Sequence, residues 1–284
     1  MKRLRRHTAR TEPGGDAAGV PEPRIPPGIP EDRFPDLLRN WFLGSRARRY
    51  LARRRFHTVT SLLRSGPKGR ALDAGCGWGY NLFLLAREGF SPFGIDIVQD
   101  DFLASRRIAH ANGYEAPLVG GDVSALPFAP GSFAAITSVE TFEHIYESDR
   151  MNAIREAWRV LVPGGAFALS TPNYHSIVET GKRALVRLPA LKRVFPAMCY
   201  PAARVSREDY HPYRYHKPAP RAEIISALEA AGFRVERVRT IIFIWKNIPE
   251  WLFPIARILE SMLERTILVR GLASTLVVLA RKPL

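Results

Sequence analysis

Three glycines at alternate positions, Gly75, Gly77 and Gly79, sit in the stretch RALDAGCGWGYNLFLLAREG, between a short apolar run and an amphipathic one. Glycines in a turn between a strand and a helix let the backbone come close to a ligand, and the free N–H groups at the helix start face it. A dinucleotide fingerprint would need its third glycine where Tyr80 stands, and a triphosphate loop would end in Gly-Lys-Ser/Thr, which is missing here. Acids follow at intervals. Asp96 in FGIDIV ends an apolar run 17 residues after Gly79, where a carboxylate can accept from two ribose hydroxyls. Asp122 in GGDVSALPFAPGSF ends the next run, where a carboxylate can accept from an adenine amino group. The set suits a ligand with an adenosine and a carboxylate but no phosphates. Further on come TSVETFEHI, with Glu140, Glu143 and His144, and then REAWRVLVPGGAFALSTPN.

The elements that must hold these residues alternate along the chain. RALDAG reads as a strand, Gly79 to Glu88 as a helix, SPFGIDI as a strand and Phe102 to Asn112 as a helix. APLVGGDV and FAAITSV read as strands, Arg150 to Leu161 as a helix, and GGAFALSTP as a strand. Such alternation predicts an α/β fold with a mainly parallel sheet covered by helices on both faces. Residues 1–32, rich in Pro, Gly and Arg, predict a disordered basic tail, and 33–66 a helical segment leading to the core. Residues 67–284 then form one domain, interrupted at about 173–217 and 245–273. After Pro172 the chain continues with an aromatic and basic segment, the helix RAEIISALEAAGF, a strand near Arg234 to Ile244 and a last strand at 274–281.

Taken together, these motifs resemble the class I S-adenosylmethionine-dependent methyltransferases, in the branch that contains the ubiquinone and menaquinone biosynthesis enzymes and many small-molecule methylases. The resemblance covers about Arg70 to Pro172, weakens through HPYRYHKPAPRAEIISALEAAGF and is absent from the N-terminal tail and from 245–273. It implies a Rossmann-like seven-stranded sheet in the order 3-2-1-4-5-7-6, strand 7 antiparallel, with S-adenosyl-L-methionine as cofactor. Carried over by position, Asp73 and the turn Gly75, Cys76, Gly77, Gly79 would hold the methionine part of the donor. Asp96 with Ile97 would hold the ribose, and Asp122 with Val123 the adenine. Glu140 and His144 would lie at the end of strand 4 beside the methyl group. For a protonated nucleophile the candidate bases are His144, His211, His216 and Glu143; His57 and His175 have weaker claims. No metal is expected.

Ligands of open α/β sheets bind outside the carboxyl ends of the parallel strands. The segments 173–217 and 245–273 leave from that edge and should build the acceptor chamber, with Tyr174, Tyr200, Tyr210, Tyr213, Tyr215, Trp245, Trp251 and Phe253. In PEWLFPIARILESMLER, residues Trp251, Ile255, Ile258, Leu259 and Met262 fall near one helical face. That face either packs on its own domain or forms a lid that grips an apolar acceptor or touches a membrane.

The formal net charge is +15, yet residues 71–170 carry six Lys/Arg against twelve Asp/Glu. The excess is therefore on the flanks: 37–72 hold ten basic residues and 180–207 hold seven, with no acid in either. Such segments meet lipid headgroups, phosphorylated substrates or nucleic acid, or merely solvate the surface. The leading expectation is O- or C-methylation of a small-molecule or lipid-linked acceptor, with peripheral contact to an anionic membrane. An RNA or DNA methyltransferase is the alternative, although SVETFEH differs from the Asn/Asp-Pro-Pro-aromatic motif of exocyclic-amine methylases, and no Pro-Cys nucleophile is present. A donor-binding protein without catalysis is a third reading. Two cysteines, Cys76 and Cys199, are too few for a disulfide framework or a cysteine-based zinc site. The sequence supports neither a spanning helix nor a signal peptide, so a cytoplasmic protein is expected.

Overall fold

The apolar runs assemble into one seven-stranded sheet in the order β3-β2-β1-β4-β5-β7-β6. A computed structural model describes residues 23–25, 44–186 and 215–284. The strands are β1 (Arg70–Ala74), β2 (Ser91–Asp96), β3 (Leu118–Gly120), β4 (Phe133–Val139), β5 (Leu161–Pro172), β6 (Arg234–Ile241) and β7 (Thr275–Arg281). Neighbours among β1 to β5 pair in parallel. β7 inserts antiparallel between β5 and β6. The described helices are α1 (Arg46–Ser61), α2 (Tyr80–Arg87), α3 (Phe102–Ala111), α4 (Arg150–Val160), α5 (Ile177–Val186), α6 (Arg221–Ala230), α7 (Phe253–Arg265) and α8 (Ile267–Arg270).

Successive strand residues point to opposite faces, and each face carries its own core. Leu72, Ile136 and Val278 face one side, where Ile154 of α4 and Ile224 and Leu228 of α6 cover them. Ala71, Ala135 and Val277 face the other, against Tyr50, Leu51 and Val59 of α1. In β1 and β4 the alanines Ala71 and Ala135 face α1, which lets the helix lie close to the centre of the sheet. Helix α1 starts where the Ser45 hydroxyl accepts from the Arg48 N–H at 3.3 Å.

The chain joining β6 to β7 carries α7, and its orientation decides between the two alternatives for this helix. Trp251, Ile255, Ile258, Leu259 and Met262, the face that could either pack on its own domain or stand outward, are 50–75% exposed, which is the second of those alternatives. What α7 buries instead is Phe253 and Glu260. Glu260 accepts from the backbone N–H groups of Phe243 (2.9 Å) and Ile244 (3.3 Å), from the Tyr50 hydroxyl and from Arg54 Nη1 (3.2 Å). One turn on, Glu264 accepts from the Ile242 N–H at 2.9 Å and pairs with Arg54. Ile242 holds φ at +75°, which a β-branched residue rarely adopts. Its N–H is held by Glu264, and its carbonyl accepts from Ser274 N (2.8 Å) and Oγ (2.9 Å). Four backbone and side-chain donors converge on one acid, so the polar anchor outweighs burial of the helix's apolar face.

Candidate active site

β1 is flanked by β2 on one side and β4 on the other, so the chain leaves the two central strands in opposite directions and opens a crevice at their carboxyl ends. The glycine turn fills its floor. Gly75, Gly77 and Gly79 have φ of +84°, +45° and +87°. The N–H groups of Gly75 and Cys76 both donate to the Ile95 carbonyl, at 2.8 and 3.0 Å, which locks the turn onto β2. A Cβ on Gly75 would lie 2.3 Å from Thr141 Oγ1, whereas one on Gly77 would meet nothing within 4 Å. The turn thus presses against the end of β4 at one glycine and lies open at the next.

Asp96 ends β2 with its carboxylate across the turn: Oδ2 accepts from the Gly77 N–H (2.8 Å) and Oδ1 from the Val98 N–H (2.9 Å). Burial raises its pKa, against the opposing pull of those backbone donors. Asp122 is exposed beyond β3, and its Oδ1 accepts from the Ser124 N–H and hydroxyl, both at 2.8 Å. Ile97 is exposed and Val123 partly buried beside the core. The Cys76 side chain is buried against Leu82 and Phe102, so what this residue offers the crevice is main chain. Burial, then the charges of Asp73 and Asp96, push its thiol pKa well up.

Asp73, expected at the donor, turns inward. Its Oδ1 accepts from Asn81 Nδ2 and from the Thr137 hydroxyl, both at 2.8 Å, and the side chain is 1% exposed. Asn81 in turn accepts at Oδ1 from the Thr60 hydroxyl of α1 at 2.7 Å. Burial raises the Asp73 pKa to about 7 despite those two donors. Asp73 therefore braces the turn from below.

The end of β4 collects the acid and base candidates. Glu140, at φ +55°, accepts at Oε1 from the Ser170 hydroxyl (3.0 Å) and pairs at Oε2 with Arg55 of α1 (3.3 Å). The chain then makes a short 3-10 turn, Phe142–His144. Glu143 is buried, and its Oε2 accepts from the Thr171 hydroxyl at 3.0 Å. Burial, reinforced by the Glu140 charge, holds its carboxyl well above the usual range. His144 Nδ1 lies 2.7 Å from the Tyr215 carbonyl, and its Nε2 is 4.0 Å from Glu143 Oε1. His216 joins them because the Lys217 N–H donates to the Glu143 carbonyl at 2.9 Å. The two imidazoles meet edge to face, centroids 5.3 Å apart. Burial, with the charges of His144 and Lys182, lowers the His216 pKa to about 3 and keeps it neutral.

Three of the four candidate bases are thus brought together. The fourth, His211, lies outside the described residues, as do Tyr200, Tyr210, Tyr213 and Cys199. His57 is on α1 beside Arg64, and His175 meets Tyr174 edge to face, so neither joins the group. Sequence reasoning missed Arg55, Asn81, Thr137 and Thr171. Asn81 left a signal, a polar residue in the apolar run YNLFLLAR; Arg55 left none among its neighbouring arginines.

Comparison with known proteins bears on this geometry. Residues 71–165 match the family model described as Methyltransferase domain. The chain is 32% identical over 191 residues to a demethylmenaquinone methyltransferase of Thermus thermophilus, covering 64% of this chain and 81% of that one. This chain belongs to the class I S-adenosylmethionine-dependent methyltransferases. A ubiquinone biosynthesis O-methyltransferase of Vibrio cholerae is 29% identical to this methyltransferase, over 45% of the chain and 51% of the relative. The methyltransferase spans only about half, 48–56%, of several such relatives. Among solved structures, a methyltransferase of Thermotoga maritima, described as a possible histamine N-methyltransferase, superimposes with a TM-score of 0.57 at 17% identity, over 88% of this chain and 97% of that one. The sheet order expected for the fold is the one observed. Among the described residues of the methyltransferase no helix is long and apolar enough to cross a membrane.

The residues at the crevice fit S-adenosylmethionine. The turn is open at Gly77, where a Cβ would meet no protein atom within 4 Å, and 75–79 carry no cation that would favour phosphates. Two carboxylates, Asp96 at the end of β2 and Asp122 two residues beyond β3, offer acceptors at that edge of the sheet.

Proposed function

We propose that this methyltransferase transfers the methyl group of S-adenosylmethionine to an oxygen or carbon nucleophile of a small-molecule or lipid-linked acceptor. The observation that carries the reading is adjacency. The donor turn touches Thr141 through Gly75, and the next three residues of the chain are Phe142, Glu143 and His144. Donor turn and acid-base group therefore share one crevice.

The donor supplies a methyl on a positively charged sulfur, already activated for in-line displacement. Alignment is then the chief task of the protein and can supply roughly 7–11 kcal/mol of the barrier. In this reading the Gly75–Gly79 backbone receives the methionine part, Asp96 and Ile97 the ribose, and Asp122 and Val123 the adenine. Glu143, His144 and His216 face the acceptor, where its nucleophile must shed a proton if it arrives as a phenol or alcohol.

Two features support an apolar or lipid-linked acceptor. The curated relatives include enzymes named for menaquinone and ubiquinone biosynthesis. In addition, α7 and the turn before it present Trp251, Ile255, Ile258, Leu259 and Met262 outward, a face suited to an apolar acceptor or to a membrane surface. Three of the ten basic residues in 37–72 are internally paired: Arg54 with Glu260 and Glu264, Arg55 with Glu140, Arg64 with Glu88. That pairing weakens the nucleic-acid reading, which needs free cations along a surface.

The donor assignment is tested by calorimetry with S-adenosylhomocysteine. Asp96→Ala removes charge-assisted hydrogen bonds worth about 1.5–3 kcal/mol, so the Kd should rise roughly tenfold to a few hundredfold. Unchanged affinity in a folded variant would remove the ribose assignment. The acceptor is sought by incubating the enzyme and labelled donor with extracts of a strain lacking the gene. A labelled lipid-soluble product supports the reading; label in RNA or DNA overturns it.

A further inference from the structure

We propose that Glu143, His144 and His216 form a binding site for one divalent transition-metal cation at the carboxyl end of β4. The absence of a cysteine set pointed away from a metal, but a carboxylate with two imidazoles needs no thiol. One oxygen of Glu143 and one ring nitrogen of each histidine lie within 4.8 Å of one another. Metal bonds of about 2.0–2.2 Å call for donors some 3–3.5 Å apart, so the widest pair must close by roughly 1.5 Å, a matter of side-chain rotation.

The outer contacts already aim these donors. Thr171 donates to Glu143 Oε2 and leaves Oε1 for the cation. The Tyr215 carbonyl can only accept, so His144 Nδ1 carries the proton and Nε2 presents its lone pair toward Glu143 Oε1. A histidine whose second nitrogen donates to a carbonyl is the usual arrangement behind a ligating imidazole. His216 is held in reach by the backbone bond from Lys217 to Glu143.

Charge argues the same way. Glu143 is 1% exposed with a second carboxylate, Glu140, nearby, and among the described residues two cations beside the group are committed elsewhere: Arg55 to Glu140 and Lys182 to Glu179. A bound dication would relieve the buried carboxylate. His144, 29% exposed in its side chain, leaves a way in from the crevice. Two nitrogens and one oxygen favour Zn²⁺, Fe²⁺, Co²⁺ or Ni²⁺ over Mg²⁺ or Ca²⁺. Three protein ligands also leave positions for an oxygen of the acceptor. That last role rests on the proposed function; the site itself does not.

Untagged protein, stripped with a chelator, is dialysed against Co²⁺. One equivalent should bind, with visible ligand-field absorption that Zn²⁺ abolishes on displacement. His216→Ala and Glu143→Gln should each weaken Co²⁺ binding at least tenfold, and Thr171→Val, which touches no metal, by about 10–100-fold. S-adenosylhomocysteine affinity, measured on the same samples, reports whether each variant is folded. Uptake of less than a tenth of an equivalent by the stripped parent protein overturns the site, as does undiminished binding in folded His216→Ala. Either result with donor affinity intact leaves the methyltransferase reading standing. Loss of donor binding in the parent protein would strike that reading and not this one.

Discussion

Replacing Asp73 by Asn should change how stability depends on pH, and the structure gives both sign and size. The Asp73 carboxyl titrates at about 7 in the fold, raised by burial, against 3.8 for an ordinary aspartate. Between those values the folded chain holds a proton that the unfolded chain has released, so stability falls as pH rises through this window. Below it both states are protonated, and above about 7 both are ionised, so the loss levels off. At 1.36 kcal/mol per tenfold step in acidity, the full effect is about 4 kcal/mol, an upper figure because a charged Asp73 would draw water or shift its neighbours. Asn keeps an oxygen for Asn81 and Thr137, each 2.8 Å away, and cannot ionise. Urea denaturation of parent and variant from roughly pH 5 to 8 tests this. Across that range, which starts roughly two pH units below the folded pKa, the variant should gain on the parent by up to about 2.7 kcal/mol toward the alkaline end, the rest of the effect lying below about pH 5. Other buried acids, Asp96 and Glu143 among them, slope the same way but cancel in the comparison. Parallel curves would refute the argument and mean that the cavity already solvates the carboxylate.

Further outcomes follow from named contacts. Gly75→Ala meets Thr141 at 2.3 Å and adds backbone strain at φ +84°, so stability should drop by about 2 kcal/mol or more, with partial recovery in Gly75→Ala/Thr141→Gly; full stability of the single variant would contradict the turn geometry. Glu260→Ala leaves two backbone N–H groups without their buried acceptor, removes the acceptor of the Tyr50 hydroxyl and leaves Arg54 only the Glu264 carboxylate, and should cost about 2–4 kcal/mol in denaturant titrations; a loss under about 0.5 kcal/mol would contradict the α7 anchor. Trp251→Glu, at a 75% exposed position, should leave stability within about 0.5 kcal/mol. The same change should reduce binding to anionic vesicles in flotation assays; equal vesicle binding would separate the apolar face from membranes.

Strand positions and the glycine turn were legible because each follows local rules: period-2 burial, glycine at positive φ, an acid where a parallel strand ends. Asp96 and Asp122 lie where those rules placed them. Asp73 was not legible, since whether a strand-end acid faces outward depends on Asn81 and Thr137, brought to it by α2 and β4. Nor was the gathering of His144 and His216, 72 residues apart, which rests on bonds of 215–217 to the 3-10 turn: the Lys217 N–H donates to the Glu143 carbonyl, and the Tyr215 carbonyl accepts from His144. For helix α7 the sequence left two alternatives, and the structure decided between them for a different reason. Apolar periodicity assumes that water decides which face is buried, and here an acid with several donors around it decided instead.

The bonds from Tyr50 and Arg54 to Glu260 and Glu264 bear on how such enzymes exchange parts. The segment bearing α7 looks like a module that could be swapped to retarget an acceptor, while α1, outside the matched family region, looks dispensable. Physically they are one unit, since α7 is clasped by α1, and Arg55 on the same helix holds Glu140 at the crevice. A chimera that imports a foreign β6–β7 connection and keeps the native α1 would strand Arg54 against an unfamiliar surface. One that carries both helices together preserves the clasp, so new acceptor specificities in this scaffold are best sought by moving α1 and α7 as a pair.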